Sequence, residues 1–215
     1  SSAASDVYKR QVVITGAGSG LGREAAIELA KRGHSVIATT MYEKQAQEIN
    51  TLANDRRIDL KSFKLDINLE NDRNKLKELD FDVLINNAAI GDSGSIADIS
   101  VDRIENVFET NVFSNIKITQ VALKNMIENK RGRVIFLSSL AGRISIPFLG
   151  PYCASKFAIE GFASSLRKEM KKLDDVNIQI GIIEPGAYAT GFNKENNEKK
   201  YEWMYNCLLY TSDAA

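Results

Sequence analysis

Val12-Val-Ile-Thr-Gly-Ala-Gly-Ser-Gly-Leu-Gly22 leads from an apolar, β-branched run into a glycine-rich turn, and amphipathic spacing over residues 21–31 follows without a break. The pattern prescribes a buried strand, a tight turn and a helix, in that order. Gly16, Gly20 and Gly22 let the backbone turn sharply and come close to a ligand. The helix start beside them, around Leu21, presents unpaired N–H groups and partial positive charge, a setting that suits a pyrophosphate. Ser19 supplies a hydroxyl able to donate to a phosphate, whereas Gly18 is a bystander. Taken alone, the same glycines also read as a tight strand-to-helix turn with no ligand.

Beyond this unit, short apolar runs at 36–39, 60–65, 83–85, 133–137 and 176–183 alternate with amphipathic stretches at 43–54, 70–79, 101–129 and 152–173. Apolar runs bounded by turns are what strands buried on both faces look like, and strand–helix alternation brings successive strands parallel. The expectation is an α/β chain with a Rossmann-like, doubly wound parallel sheet and helices on both faces. In such sheets ligands bind at the carboxyl ends of the strands, where every candidate residue below falls. Residues 193–200, charged and polar, read as a surface loop.

With 215 residues, 44% hydrophobic and 26% charged, the chain suits one globular domain. Lys+Arg and Asp+Glu number 28 each, so no net field recruits nucleic acid or an acidic membrane surface. No stretch approaches the roughly 18 consecutive apolar residues of a membrane span. His34 is the sole histidine, which removes Ser-His-Asp and Cys-His hydrolase mechanisms and most zinc sites, so no metal is expected.

Both ends read as foreign. Residues 1–11 (SSAASDVYKRQ) and 207–215 (CLLYTSDAA) back-translate to one DNA sequence read on opposite strands. Codons GAT GTG TAT AAG AGA CAG for residues 6–11, reversed and shifted by a base, encode Cys-Leu-Leu-Tyr-Thr at 207–211. This resembles a sequencing adaptor translated at each end of a gene fragment, and both stretches are set aside as processing scars. The expected domain is then 12–206, truncated at its C-terminal side. Within it Cys153 stands alone, which precludes an internal disulfide and suits a reducing cytoplasm.

Pro151-Tyr-Cys-Ala-Ser-Lys-Phe-Ala places Tyr152 and Lys156 four apart on one face of a helix, thirteen residues after Ser139. A phenol, with a pKa of about 10, exchanges protons poorly at neutral pH. A fixed cation about 4 Å away is worth on the order of 4 kcal/mol at an effective dielectric of about 20, or about three pKa units before desolvation subtracts from it. Lys156 is therefore expected to make Tyr152 usable as an acid and base. Ser139, favoured over Ser138 by its spacing, is expected to hold the substrate oxygen.

Thr15-Gly-x-x-x-Gly-x-Gly22, Asp66 after the third run, Asn86-Asn-Ala-Ala89 after the fourth, Asn111, Ser139, Tyr152-x-x-x-Lys156 and Pro185-Gly186 together resemble the short-chain dehydrogenase/reductase family, over residues 12–192. Ala89 departs from the glycine more usual there. The resemblance implies an oxidoreductase that moves hydride between a nicotinamide cofactor and a ketone or secondary alcohol, with Tyr152 as general acid and base. It implies that Lys156 also bonds the nicotinamide ribose and that Asn111, through the helix backbone it perturbs, holds a proton-relaying water. Asp66 and Ile67 would receive the adenine, Asn87, Ala88 and Ala89 would line the adenosine ribose, and Asn86 would steady the sheet. Pro185, Gly186 and Thr190 would close over the nicotinamide amide. Read from the residues alone, Asp66 equally caps the following helix, and Pro185-Gly186 is equally a plain turn. A homodimer or homotetramer built on the long helices is also implied.

Dinucleotide folds that prefer NAD(H) usually end the second strand on an acid. Here Ala38-Thr-Thr-Met-Tyr-Glu-Lys44 puts Thr40 in that place, which favours NADP(H), with threonine hydroxyls and Lys44 offered to a 2′-phosphate and Glu43 opposing it. Residues 93–96, 143–149 and 188–193 are expected to face the substrate, and Ile144, Ile146, Phe148, Tyr188 and Phe192 point to a moderately apolar ketone or alcohol. The alternative is a non-catalytic Rossmann-fold protein that senses nucleotide or serves as an interaction module. It would share the glycine turn without needing Asn111, Ser139, Tyr152 and Lys156 together.

Overall fold

The strand that enters the glycine turn, β1 (Gln11–Ile14), lies at the centre of a parallel sheet, flanked by β2 (Ser35–Thr40) and β4 (Val83–Asn86). The computed structural model, which describes residues 9–186 and 199–204, extends this sheet through β3 (Leu60–Lys64) on one side and β5 (Arg131–Leu137) and β6 (Asn177–Ile183) on the other. The order is β3-β2-β1-β4-β5-β6 with every pair parallel, the doubly wound arrangement expected from the alternation. After β3 the chain returns across β1 to lay down β4. The strand order thus reverses between β1 and β4, opening a crevice at their carboxyl ends.

Alternation of side chains lets β1 serve both faces. Val13 packs with Leu84, Val134 and Phe136, whereas Val12 and Ile14 pack with Ala26, Ile27 and Val36 on the other side. Each such side chain contributes about 1.5–3 kcal/mol by leaving water, so both apolar faces of this short strand are committed to the core. The helices bury matching stripes. On the Val12 face lie α1 (Gly20–Lys31), through Ala26, Ile27 and Ala30, and α2 (Glu43–Arg56), through Ile49 and Ala53. On the Val13 face lie α5 (Asn115–Glu128), through Ile118, Ala122 and Met126, and α6 (Gly150–Met170), through Ile159, Ala163 and Met170.

Three expected helices differ in detail. The stretch 101–129 is α4 (Val101–Phe108), a π-helical turn Glu109–Ser114, and then α5. Apolar periodicity marks the buried face but does not register a turn widened by one residue, and the widened turn here buries polar side chains, Thr110, Asn111 and Ser114. The stretch 70–79 is α3 (Glu70–Asn74) tightening into a 3-10 turn, Lys75–Glu78. Helix α6 starts earlier than expected, with Pro151 in its first turn, where a missing N–H costs nothing. Among the described residues no helix is long and apolar enough to cross a membrane.

Candidate active site

The two loops that face the crevice are stitched to each other. Thr15 Oγ1 accepts from the backbone N–H groups of Asn87 and Ala88, both at 3.1 Å. Asn87 Nδ2 in turn donates to the carbonyls of Thr15 (2.8 Å) and Gly16 (2.9 Å). Gly16 and Gly20 have φ of 64° and 57°, in the left-handed region that favours glycine. A Cβ on Gly16 would stand 2.6 Å from Ala88 Cα, and one on Gly22 would run into the Asn87 amide. These glycines therefore let the β1 turn and the β4 loop touch, which shapes the floor of the crevice. Gly18 is crowded only by the flexible end of Gln45. Ser19 stands exposed at the start of α1 with no capping hydrogen bond from its side chain, so its hydroxyl and the helix N–H groups face the crevice mouth together.

Helix α6 carries Tyr152 and Lys156 beneath the end of β5. Lys156 is 4% exposed, and its ammonium donates to the Leu137 carbonyl at 2.7 Å while lying 5.6 Å from the centre of the Tyr152 ring. Burial pushes Lys156 down to about 8, against the pull of the Glu160 carboxylate, so it remains protonated at neutral pH. Burial pushes the Tyr152 phenol up, and its hydrogen bond with the Ser139 hydroxyl opposes that rise. The net direction is thus the reverse of the one expected: burial prevails at the phenol, and the hydrogen bond with Ser139 is the cause that favours the phenolate. Ser139 also opens the 3-10 turn Leu140–Gly142, its Oγ accepting from Ala141 N–H at 3.1 Å. Ser138 is instead buried against Gly142.

Asn111 sits inside the π-helical turn with its side chain fully engaged. Its Oδ1 accepts from Ile90 N–H and its Nδ2 donates to the Ile90 carbonyl, both at 2.8 Å, and Nδ2 also donates to Ser155 Oγ at 3.0 Å. Ser155 passes the link on to the Tyr152 carbonyl at 2.7 Å. Asn111 thus ties the β4 loop to the first turn of α6, and its side chain is a brace. Asn115 Nδ2 holds the widened turn open by donating to the carbonyls of Ala88, Thr110 and Asn111, each at 3.0 Å.

A family model described as short chain dehydrogenase matches residues 10–201. The chain belongs to the short-chain dehydrogenase family. It is 34% identical over 200 residues to a probable short-chain type dehydrogenase/reductase, VdlC, of Helicobacter pylori, covering 87% of this chain and 69% of that protein. It is 37% identical over 198 residues to the dehydrogenase/reductase SDR family member 7B of Xenopus laevis, covering 85% of this chain and 59% of that one. The chain therefore spans only about three fifths of the latter relative's length. Among solved structures, a short-chain dehydrogenase from Streptomyces avermitilis superposes with a TM-score of 0.76 at 27% identity, covering 85% of this chain and 67% of that one.

Other residues expected of a family member fall less simply. Thr40 is wholly buried and its hydroxyl donates to the Tyr42 carbonyl at 3.0 Å, so it does not reach a ribose, and Thr39 is buried as well. The first exposed side chains after β2 are Met41, Tyr42, Glu43 and Lys44. Asp66 Oδ1 accepts from Asn68 N–H at 2.9 Å, a local turn ahead of α3, whose N-cap is Leu69. The Ile67 side chain is in the core, and its carbonyl accepts from Arg73 Nη1 at 2.7 Å. Asn86 Nδ2 donates to Thr119 Oγ1 at 2.7 Å, tying β4 to α5. Ala89, half-buried, follows in the same loop. Pro185 accepts from Leu140 N–H at 3.0 Å, which places Pro185 and Gly186 beside the Ser139 turn. Arg143 reinforces that meeting with two hydrogen bonds to Glu184, at 3.1 and 2.7 Å. Tyr188, Thr190 and Phe192 lie outside the described residues. Thr15, Asn115, Arg143 and Ser155 were not singled out from sequence. Of these, Thr15 and Ser155 lie inside the quoted motifs, whereas Asn115 and Arg143 carried no local signal.

Proposed function

We propose that this chain is the catalytic part of a nicotinamide-dependent oxidoreductase that interconverts a ketone and a secondary alcohol. The observation that carries the reading is the convergence of Tyr152, Ser139 and Lys156 at the crevice end of β5, where the Ser139 hydroxyl meets the phenol and a buried ammonium lies under the ring. The crevice fits a dinucleotide. Gly16 and Gly20 turn the loop back at its floor, and Ser19 leaves its hydroxyl uncommitted at the start of α1. A dinucleotide held there would have Asn87, Ala88 and Ala89 beside its adenosine ribose, Asp66 and Ile67 near its adenine, and Pro185 and Gly186 near its nicotinamide.

The bound cofactor supplies or removes hydride. Tyr152 stays neutral near pH 7, because burial holds its proton on, and it donates that proton to the carbonyl oxygen as reduction proceeds. Ser139 orients the same oxygen by hydrogen bonding. Lys156, protonated at neutral pH, stabilises by its charge the phenolate left behind until a proton returns to Tyr152. Asn111 acts through the backbone of the widened turn that it helps to brace, where a water can bridge toward Lys156. The cofactor is NADP(H) in preference to NAD(H), since β2 ends on neutral, buried Thr40 and the exposed Lys44 follows.

Replacing Tyr152 by Phe removes the transferable proton while keeping the ring that packs against Lys156. Turnover of a ketone panel is expected to fall by at least about a hundredfold, with cofactor affinity retained. Undiminished turnover by the Phe variant would discard Tyr152 as the proton donor. Cofactor binding without turnover of any ketone by the parent chain would favour a nucleotide-sensing module.

A further inference from the structure

The short 3-10 helix Lys199–Glu202 and Trp203 after it meet two of the three segments expected to face the substrate, 93–96 and 143–149. Gly94 N–H donates to the Phe148 carbonyl at 2.8 Å, so the loop after β4 and the loop before α6 form one wall. Lys200 N–H donates to Ser93 Oγ at 3.0 Å on that wall. Its ammonium lies 5.3 Å from the centre of the Phe148 ring and 4.9 Å from that of Tyr201. Phe148 itself has a φ of 63°, a left-handed conformation that costs a bulky residue about 1–2 kcal/mol. Such strain persists where the surroundings impose it, and it clusters at ligand sites.

Side chains three apart eclipse in a 3-10 turn, so Trp203 follows Lys200 onto the same loop. Its indole lies against Gly94, where any Cβ would run into the ring. Arg103 lies 5.1 Å from the centre of that ring and pairs with Asp92 at 2.6 Å. The charge of Arg103 is therefore matched. Among the described side chains no carboxylate lies within ion-pair distance of Lys200. Two aromatic rings hold the ammonium itself, which carries three N–H donors to offer a ligand.

We propose that Lys200 binds an anionic oxygen group on the substrate, so that the ketone or alcohol handled here carries a carboxylate or phosphate. This rests on the oxidoreductase reading and narrows its substrate class. Trp203 is the positioning residue that seats the lysine on the Ser93–Gly94 loop.

The test uses two ketones of one length, one ending in a carboxylate and the other in its methyl ester, with the parent chain and Lys200→Gln. Two readouts are taken, kcat/KM and the fluorescence of Trp203, the sole tryptophan. The parent chain is expected to prefer the acid by about tenfold, equivalent to about 1.4 kcal/mol, and the variant to bring the acid-to-ester ratio near one. Saturable quenching of Trp203 by the acid, weakened about tenfold in the variant, is expected in parallel. Quenching without turnover upholds the anion site and defeats the oxidoreductase reading instead. Equal turnover and equal binding of acid and ester by the parent chain, or a preference that survives Lys200→Gln, overturns the proposal. Circular dichroism of the variant checks that its fold is intact.

Discussion

Replacing Lys156 by Met is expected to change the pH dependence of stability, in a direction fixed by burial. Lys156 is 4% exposed, and burial lowers its ammonium from 10.5 to about 8. Between those two values the unfolded chain holds a proton at this site that the folded chain has released. Stability then rises with pH across that window, because the unfolded state is the one that binds more protons. The fall from 10.5 to about 8 corresponds to about 3 kcal/mol of destabilisation at and below neutral pH, relieved progressively toward pH 10.5. From pH 7 to pH 9 the relief is on the order of 1 kcal/mol. Methionine matches the length of the stem and does not titrate. It leaves the Leu137 carbonyl without its 2.7 Å partner, at a cost of about 1–3 kcal/mol that does not vary with pH. Urea unfolding followed by circular dichroism at both pH values isolates the site, since every other group cancels in the difference between the two chains. The parent chain should gain about 1 kcal/mol on the variant between pH 7 and pH 9. A difference that stays constant, or that moves the other way, would mean that Lys156 titrates near its ordinary value and is not desolvated.

Gly16→Ala combines a φ of 64° with a Cβ placed 2.6 Å from Ala88 Cα. It should destabilise by about 2–4 kcal/mol and weaken dinucleotide binding, whereas Gly18→Ala should cost less than about 1 kcal/mol, as thermal melts would show. Met41→Asp introduces an acid at the first exposed position after β2. Parallel fluorescence titrations with NADPH and NADH should show the parent chain binding NADPH more tightly and the variant reversing that order by about tenfold, near 1.4 kcal/mol. An unchanged ratio would place the 2′ position of the ribose elsewhere.

Much of the fold was legible because two signals agree along the chain. Apolar runs such as 12–14 and 83–85 are short, β-branched and bounded by turns, and the intervening stretches bury residues at helical spacing. Strand–helix alternation prescribes a doubly wound sheet, whereas the place of the reversal, between β1 and β4, is not written in any local pattern. The widened turn Glu109–Ser114 was illegible for a physical reason. Its signature is a set of buried polar side chains, Asn111 and Asn115 among them, whose partners lie far off in sequence at Ile90 and Ala88.

At the site, Tyr152, Ser139 and Lys156 converge as their spacing requires, yet their electrostatics differ from the sequence argument. From spacing, the charge of Lys156 outweighs desolvation, whereas in the fold burial is the larger effect at both Tyr152 and Lys156. Thr40 illustrates the same limit. Position along β2 identified it, but that strand is buried on both faces and the carbonyl of Tyr42 takes the Thr40 hydroxyl. Arg143 and Glu184 are distant in sequence and gain meaning only where the ends of β5 and β6 meet.

The most direct measurement is transfer of label from NADPH deuterated at the nicotinamide C4 position to a ketone, with the product alcohol analysed by mass spectrometry. The account predicts one deuterium on the carbinol carbon, delivered from a single face of the nicotinamide, and its loss in Tyr152→Phe. Cofactor that binds to the folded chain while no deuterium reaches any ketone would contradict it.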